Sequence, residues 1–279
     1  MSRGYKRKTK GYRLVHQYDT AETVGDEPLQ LFLRYPDIEV AVSESRSVGI
    51  PYLLSHKPDL QAIILDDSYQ HLSVTPGLNV LITDYAKPYY EDLLLPTGRL
   101  REWRTGAERA DIIIVSKCPD SLNTLEQQRI INHINPSTKQ SVFFSKYTYG
   151  RPYHIFTGEE VSLSDYSSTL LITAIASTDY LIQYLETEIS EVRPYSFEDH
   201  HLFSAHEISS LHHTYQLIPS ERKIILTTEK DATRIALHHR YLIEQQVDIY
   251  ALPIQVAFLD QSEALFNDTI RRFLLNFTS

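Results

Sequence analysis

Two acidic residues follow directly on a short apolar run, and no other pattern in the chain says more about chemistry. Asp66 and Asp67 come after Ala62–Leu65, four apolar residues that predict a buried strand. Ligands of open α/β sheets bind at the carboxyl ends of the strands, where a carboxylate can hold Mg²⁺ against nucleotide phosphates. Asp is also a common turn former, so a metal site and a plain strand-end turn both stay open. The polar residues of Ser68–His71 on the same loop favour the metal site.

Asp26 lies directly before an apolar run and is another candidate carboxylate. Within Gly25–Pro28 it stands where a helix N-cap is expected, with Glu27 and Pro28 in the first turn. A carboxylate on a loop can also act as a general base, although nothing local requires that role. The local pattern therefore predicts a cap.

Arginine and histidine side chains mark two further segments. The turn Leu95–Glu102 carries Arg101, which could clamp a phosphate through paired N–H donors or form a surface ion pair with Glu102. Phe197–His201 places carboxylates beside His200, which could be half of an acid–base pair or a loop histidine without a role. The spacings H-E-x-x-H and C-x-x-C are absent, which argues against a zinc site.

The composition is that of a globular chain and excludes several classes of protein. The 279 residues contain 27 Lys and Arg against 36 Asp and Glu, a formal net charge of −9 that argues against a general nucleic-acid binder. The single cysteine, Cys118, excludes an intramolecular disulfide framework and suits a reducing compartment. No apolar run approaches the roughly 18–20 residues of a membrane span, and the start has no secretory signal. We therefore expect a soluble, intracellular protein.

Glycine is scarce in this chain. None of the nine glycines is followed by lysine, so the phosphate-cradling loop G-x-x-x-x-G-K-S/T is absent from the 279 residues.

Short Val/Ile/Leu-rich runs alternate with helical periodicity, which predicts βαβ units and a parallel sheet. The predicted strands are Glu39–Val42, Ala62–Leu65, Asn79–Thr83, Ala110–Val115, Leu170–Ala176 and Lys223–Leu226. The predicted helices are Pro28–Tyr35, Leu122–Ile134, Thr178–Glu188, His206–Tyr215 and Gln261–Leu275. Thr228, followed by Asp231, predicts one more helix start of the capping-box type. We expect one α/β lobe at residues 1–146, an extended or hairpin linker at 147–164, and another lobe at 165–279.

The chain opens with a basic segment rather than a core strand. Its charged residues are Arg3, Lys6, Arg7, Lys8, Lys10 and Arg13. Composition alone favours a frayed, solvated tail. The alternative is a surface that contacts phosphate or anionic lipid.

Taken together, these segments resemble the tetraacyldisaccharide 4'-kinases, the lipid A 4'-kinases of Gram-negative bacteria. The matching stretches follow the family order over nearly the whole chain: Ser2–Tyr5, Gly25–Pro28, Val42–Arg46, Leu65–His71, Leu95–Glu102, Asp199–His200 and Thr228–Ala232. The strings Asp-Asp-x-aromatic-Gln-His and Leu-Arg-Glu are the most specific of them.

The resemblance implies a P-loop NTPase-like core with a parallel sheet, joined by a β linker to a second, smaller α/β lobe. It implies transfer of the ATP γ-phosphoryl group to the 4'-hydroxyl of tetraacyldisaccharide 1-phosphate, which forms lipid IVA. ATP is then the co-substrate, Mg²⁺ the cofactor and an acylated disaccharide 1-phosphate the partner. The implied location is the cytoplasmic face of the inner membrane, held peripherally on its anionic surface.

The resemblance also assigns residues. Asp26 is the implied general base and His200 its orienting partner, while Asp67, with Asp66 beside it, would hold Mg²⁺. The residues implied to line the phosphate and substrate cleft are Arg46, Gln70, His71, Arg101 and Glu102. Phosphoryl transfer depends mainly on positioning and charge neutralisation, and this inventory suits both.

Two departures from the family pattern stand out. Ser68 occupies a position where the family usually has glycine. The family's Walker A loop and a hydrophobic N-terminal segment would precede Ser2–Tyr5, so the first strand and the P-loop of the core are expected to be missing. We therefore expect an N-terminally truncated or mis-started copy that is inactive or nearly so.

Two other functions are open on the same residues. One is a catalytically inactive remnant that binds the lipid or saccharide, which lipid binding without nucleotide binding would support. The other is a metal-dependent phosphohydrolase using Asp66, Asp67, His71 and His200, which metal-dependent phosphatase activity without ATP would support.

Overall fold

A computed structural model describes residues 1–277 and shows an α/β protein. The strands are β1 Arg13–Leu14, β2 Ala41–Val42, β3 Val80–Asp84, β4 Ile112–Ser116, β5 Ser141–Tyr149, β6 Tyr153–His154, β7 Ser168–Thr173, β8 Glu191–Ser196, β9 Lys223–Thr228, β10 Ile249–Leu252 and β11 Ile254–Phe258. The helices are α1 Ala21–Val24, α2 Asp26–Arg34, α3 Arg46–His56, α4 Thr124–Ile134, α5 Asp179–Glu188, α6 Ala205–Gln216, α7 Glu229–Ile235, α8 His239–Glu244 and α9 Glu263–Asn276. Short 3-10 turns lie at Arg104–Arg109, Leu163–Asp165, Ala236–His238 and Leu259–Gln261. None of the helices within residues 1–277 has the length and apolar character to cross a membrane.

The chain divides into two compact units, each built from two separate stretches of sequence. Unit 1 comprises residues 1–66 and 149–254, and unit 2 comprises residues 67–148 together with the chain from 255 onward. Unit 1 thus combines residues 1–66 with residues 149–254, whereas the sequence predicted segments at 1–146, 147–164 and 165–279. Around the expected linker the chain does form a short antiparallel pairing, in which Tyr153 lies opposite Glu160.

The main sheet of unit 1 has the strand order β6-β10-β9-β7-β8, and all its neighbours are parallel except the edge strand β6. Leu170 and Ile172 of β7 pack on one face with Ile208 of α6, while Leu171 packs on the other face with Leu181 of α5. Burial on both faces explains why these strands read as continuous apolar runs without alternation. The prediction of a parallel-sheet α/β fold is confirmed.

The basic N-terminal segment is packed against unit 1, so the expectation of a frayed tail is wrong. Ser2 pairs with β2 through Ser2 N–H to the Ala41 carbonyl at 2.9 Å and Ser43 N–H to the Ser2 carbonyl at 3.0 Å. The Arg7 side chain is only 2% exposed and donates to Glu44 at 2.7 Å. Arg13 donates to Asp19, and Lys8 donates to Glu22 at 2.6 Å. Composition could not predict that this segment is held in place, because the carboxylates that pair with its basic residues lie later in the sequence.

The predicted strand at Ala62–Leu65 is also wrong. This segment has no strand hydrogen bonding, and Ile64 is 83% exposed. Its backbone is held at two points, from the Met1 amino group to the Ile64 carbonyl at 2.6 Å and from Asp66 N–H to the Met1 carbonyl at 3.0 Å. Contacts to one residue do not form a ladder, so an apolar run alone does not make a strand.

The sheet of unit 2 has the order β11-β5-β4-β3, with β3, β4 and β5 parallel. Ile113 and Val115 of β4 pack with Phe144 of β5 and Ile134 of α4. The predicted strands at Asn79–Thr83 and Ala110–Val115 therefore exist with shifts of one or two residues.

Cys118 lies in this core, and its thiol is predicted to be unreactive in the folded protein. It is 5% exposed, and its S–H donates to the Val115 carbonyl at 3.3 Å. Burial raises the pKa of the thiol to about 11, so the thiol stays protonated from pH 7 to pH 9. We expect negligible alkylation by iodoacetamide over this range, measured by mass spectrometry, and stoichiometric alkylation in guanidinium chloride. Labelling of the folded chain at the rate of a free thiol would contradict the burial.

Candidate active site

Two glycine-containing segments of unit 1 approach each other backbone to backbone. Gly25 has φ +95° and Gly4 has φ +70°, conformations that other residues adopt only under strain. A Cβ on Gly25 would lie 3.2 Å from the Gly4 Cα, and one on Gly4 would lie 2.8 Å from the Val24 carbonyl oxygen. This close approach brings Tyr5 beside the start of α2.

Asp26 is the first residue of α2. The N-cap is Gly25, so the prediction that Asp26 is the cap misses by one residue. The Asp26 side chain is 7% exposed, and its Oδ1 accepts the Glu27 N–H at 3.0 Å. Burial and this hydrogen bond restrict the Asp26 carboxylate to few side-chain conformations.

His200 lies directly against this carboxylate. The distance from its Nδ1 to Asp26 Oδ2 is 3.0 Å, although the two residues are 174 positions apart in sequence. His200 follows β8, has φ +61°, and donates its backbone N–H to the Ala174 carbonyl at 3.1 Å. The Tyr5 ring packs against the imidazole with a centroid distance of 5.2 Å. The carboxyl end of β7 thus anchors the loop that presents the histidine.

Lys230 is a site residue that the sequence analysis did not single out. Its Nζ lies 3.0 Å from Glu27 Oε1 and 3.4 Å from His200 Nε2. The same nitrogen lies 4.0 Å from Asp26 Oδ2 and 3.9 Å from Asp199 Oδ1. The only sequence signal was Thr228–Ala232, where the predicted cap is confirmed by Thr228 Oγ accepting the Asp231 N–H at 3.1 Å. That cap places Lys230 in the first turn of α7, facing α2.

A buried ion pair lies on the same helix. Asp231 is fully buried and accepts hydrogen bonds from Ala174 N–H at 3.0 Å and from the Thr228 hydroxyl at 2.8 Å. It is also paired with Arg234, which is 2% exposed and donates to the Ala174 carbonyl at 3.1 Å. Burial raises the pKa of Asp231, and the Arg234 charge opposes that rise.

Arg234 of this ion pair also lies close to Asp26, the candidate base. Its Nη1 is buried, has no hydrogen-bond partner within the described chain, and lies 3.7 Å from Asp26 Oδ2. The arrangement therefore surrounds one carboxylate with an imidazole, an ammonium and a guanidinium. A fixed, nearly buried carboxylate of this kind is suited to accept a proton from a hydroxyl group.

Arg46 and Asp66 also meet within unit 1. Arg46 is 2% exposed and donates to the Ser43 carbonyl at 3.0 Å and to the Asp66 carbonyl at 2.7 Å. Its guanidinium therefore holds the backbone that carries the acidic pair. The boundary between the units falls after Asp66, and Asp67 begins unit 2 with φ +43°.

The remaining predicted site residues belong to unit 2. His71 lies in a turn with its Nε2 2.8 Å from the Ser73 hydroxyl, and Gln70 is exposed in the same turn. The alternative of an Arg101–Glu102 ion pair is wrong, because Glu102 accepts from Arg109 at 2.8 Å. Arg101 is exposed and has no ion pair among residues 1–277.

Tyr69 fixes the position of Arg109. The guanidinium lies 4.9 Å from the centroid of the Tyr69 ring, and the Tyr69 hydroxyl donates to the Gly106 carbonyl at 2.8 Å. Burial raises the pKa of Tyr69 to about 12, so the hydroxyl stays a donor at neutral pH. The Tyr69 ring and the Glu102 carboxylate therefore hold the Arg109 guanidinium in place.

The sequence matches one family of known proteins. The sequence model described as tetraacyldisaccharide-1-P 4'-kinase matches residues 1–274. A tetraacyldisaccharide 4'-kinase of Bacteroides thetaiotaomicron is 40% identical over 283 residues, which cover 97% of this chain and 74% of that protein. The protein of the same name from Flavobacterium johnsoniae is 39% identical over 265 residues, 94% of this chain and 74% of its own length.

A solved structure shows the same architecture. The crystal structure of the "apo" form of LpxK from Aquifex aeolicus in complex with ATP matches with a TM-score of 0.67 and 26% identity. The match covers 98% of this chain and 78% of that chain.

Proposed function

Because the chain belongs to the tetraacyldisaccharide 4'-kinase family, we propose that Asp26 and His200 carry the phosphoryl transfer of this kinase of lipid A biosynthesis. The reaction moves the γ-phosphoryl group of ATP to the 4'-hydroxyl of tetraacyldisaccharide 1-phosphate. The observation that supports the assignment is the 3.0 Å contact between Asp26 Oδ2 and His200 Nδ1, made across 174 residues of sequence. Few structural needs bring a nearly buried carboxylate and an imidazole together beside two further cations.

In the proposed step the Asp26 carboxylate accepts the proton of the 4'-hydroxyl as that oxygen attacks the γ-phosphorus. The new O–P bond forms while the bond from phosphorus to the bridging oxygen breaks, and ADP leaves with that electron pair. His200 holds the carboxylate in place through its ring N–H. Lys230 Nζ and Arg234 Nη1 lie 4.0 Å and 3.7 Å from Asp26 Oδ2 and help to hold the carboxylate in place.

The residues proposed to hold Mg²⁺ are Asp67 and Asp66. Both side chains are carboxylates, whose oxygens are the ligand atoms that Mg²⁺ prefers, and Asp67 is exposed. Bound there, the ion would neutralise charge on the β- and γ-phosphates. Arg46 contributes by holding the Asp66 backbone, to whose carbonyl it donates at 2.7 Å.

The residues proposed to contact substrate phosphate and sugar are Gln70, His71, Arg101 and Glu102. Arg101 has the strongest support, because the neighbouring Arg99 and Arg109 are each paired with a carboxylate and Arg101 is exposed without such a pair. An unpaired guanidinium can bind a phosphate through two parallel N–H donors.

The experiment that tests the function follows ³²P from γ-labelled ATP into tetraacyldisaccharide 1-phosphate, with Mg²⁺ and with EDTA. Mg²⁺-dependent label at the 4'-position supports the kinase, and no label with both nucleotide and metal present contradicts it. Phosphate release that needs metal but not ATP would support the phosphohydrolase instead. Binding of the acylated disaccharide without nucleotide binding or turnover would support the binding remnant.

We also propose that the chain lies peripherally on the anionic cytoplasmic face of the inner membrane. Of the six basic residues in the N-terminal segment, Arg7, Lys8 and Arg13 are paired with carboxylates. Arg3, Lys6 and Lys10 are exposed and form no ion pair with any residue from 1 to 277. Three free cations on one ordered segment are complementary to anionic lipid.

Replacing Arg3, Lys6 and Lys10 by glutamine is predicted to weaken binding to phosphatidylglycerol vesicles. Each basic residue near an anionic surface adds about 1 kcal/mol, so the triple variant is expected to lose about 100-fold in affinity at low salt. Vesicle co-sedimentation measures this, with phosphatidylcholine vesicles as the neutral reference. A variant with Lys87, Lys139 and Arg271 changed to glutamine removes the same charge from other exposed positions and is the matched control. Equal losses in both variants would show only a net-charge effect.

A further inference from the structure

One turn of unit 2 presents three large apolar side chains to solvent. This apolar turn comprises residues 92–104, and within it Leu93, Leu95 and Trp103 are 54%, 61% and 74% exposed. Single exposed apolar side chains are ordinary on a protein surface, whereas several in one short turn mark an interaction site.

Backbone contacts hold the apolar turn in one conformation. Leu95 N–H donates to the Leu100 carbonyl at 2.9 Å, and Leu100 N–H donates to the Leu93 carbonyl at 2.9 Å. A Cβ on Gly98 would overlap the Leu93 carbonyl oxygen, so this close approach requires glycine. The exposed leucines therefore stand on an ordered backbone, and binding through them requires little further ordering of the chain.

A guanidinium joins the two ends of the apolar turn. Arg104 donates to the Asp92 carbonyl through Nε at 3.0 Å and through Nη2 at 2.7 Å. This contact brings Trp103 and Leu93, the neighbours of its two partners in sequence, to the same end of the turn. Because the acceptor is a backbone carbonyl, the contact does not pair the Arg104 charge with a carboxylate.

Cations predominate among the charges that the apolar turn offers to a partner. Both of its carboxylates are paired with arginines, at 3.0 Å for Asp92 and at 2.8 Å for Glu102. Arg101 and Arg104 form no ion pair within the described chain. Glu91, just before the turn, is exposed and offsets one of these two charges. A net positive charge beside exposed leucine and tryptophan is complementary to an anionic lipid surface.

We propose that the apolar turn is a membrane-contact surface, which enters the interface of an anionic bilayer through Leu93, Leu95 and Trp103. This inference rests on the proposed function, because a kinase of an acylated disaccharide meets its acceptor where lipid holds the acyl chains. Tryptophan is suited to the interface, since its ring is apolar and its N–H can remain in contact with water. The guanidinium of Arg101, proposed above to bind substrate phosphate, lies in the same turn and stays at the level of the headgroups.

The test uses Trp103, which is the single tryptophan of the 279 residues, so that tryptophan fluorescence reports on this turn alone. Its emission is recorded while the full chain is titrated with phosphatidylglycerol vesicles, with and without brominated acyl chains. We expect the emission to move to shorter wavelength as the ring leaves water, and the brominated lipid to quench it. Unchanged and unquenched emission overturns the proposal, whether or not the chain co-sediments with the vesicles. A shift that needs only a higher protein concentration, together with a larger mass in solution, would assign the turn to contact between copies of the chain and also overturn it.

Replacing Leu93 and Leu95 by glutamine is expected to lower the affinity for these vesicles by about 100-fold, or about 10-fold for each leucine. Trp103 stays in place and still reports binding. The matched control is Leu125→Gln with Leu265→Gln, which removes two exposed leucines from α4 and α9 and should leave the affinity unchanged. Equal losses in the two double variants would overturn the proposal.

Two further comparisons separate this surface from misfolding and from the proposed function. Circular dichroism shows whether the double variant at Leu93 and Leu95 folds, and Leu95→Gln alone, with a loss of about 10-fold, replaces it if it does not. Neither fluorescence nor vesicle binding needs nucleotide or turnover. A failure of the kinase assignment would therefore appear only in the phosphate-transfer assay, and a failure of the membrane contact only in the Trp103 emission and the vesicle affinity.

Discussion

Asp26→Asn is expected to lower the rate of phosphoryl transfer by about 10²–10⁴-fold, the usual contribution of a positioned general base. Asparagine keeps the size of the side chain but cannot accept the proton of the 4'-hydroxyl. The Asp26 carboxylate is 7% exposed and held by His200 and by the Glu27 N–H, so no neighbouring carboxylate can take its place in the same geometry. The rate constant kcat with ATP and tetraacyldisaccharide 1-phosphate measures the effect.

The matched control for this substitution is Asp37→Asn. Asp37 is an exposed aspartate that follows α2 and forms no ion pair within the described chain. It should leave both kcat and KM unchanged. If Asp26→Asn retained kcat within 10-fold, the role of base would belong to another group, and the contact with His200 would be structural.

Asp231→Ala is expected to lower the free energy of unfolding by about 3–5 kcal/mol, the loss typical of removing one partner from a buried ion pair. Asp231 is fully buried, and the substitution leaves the Arg234 guanidinium without its carboxylate. The Ala174 N–H and the Thr228 hydroxyl lose their acceptor in the same place. Urea unfolding followed by circular dichroism measures the change.

Two further variants show whether the loss comes from the unpaired charge. Asp231→Ala combined with Arg234→Met removes the orphaned guanidinium and should recover part of the stability. Asp268→Ala breaks the exposed pair with Arg272 on α9 and should cost no more than about 0.5 kcal/mol. A loss from Asp231→Ala no larger than that from Asp268→Ala would mean that water reaches the buried pair.

Local signals predicted the secondary structure wherever a residue's neighbours in sequence decide its conformation. Thr228 followed by Asp231 was sufficient to place the start of α7, because a cap is closed within three residues. Apolar runs such as Lys223–Leu226 were sufficient for strands that are buried on both faces. The run Ala62–Leu65 failed because a strand also needs a partner strand, and the hydrogen bonds to Met1 do not form a strand ladder.

The site could be predicted in part only. Asp26 and His200 were identified through family motifs, but no local rule predicts a contact between residues 174 positions apart. Lys230 was missed because its motif was already explained by the cap, and its distance to His200 exists only in the folded chain. The N-terminal cations were taken for a tail because Glu44, the acceptor for Arg7, lies 37 residues further on.

Because unit 1 consists of residues 1–66 and 149–254, its first stretch must wait for its second during protein synthesis. A ribosome adding about 5–20 residues per second needs roughly 9–35 s to make the 174 residues from Asp26 to His200. Through that interval the nascent chain carries Asp26 without its histidine, while unit 2 residues 67–148 emerge and can begin to fold. The pair proposed to be catalytic therefore cannot form before residue 200 has been made, and a chain released earlier lacks it however well the rest has folded.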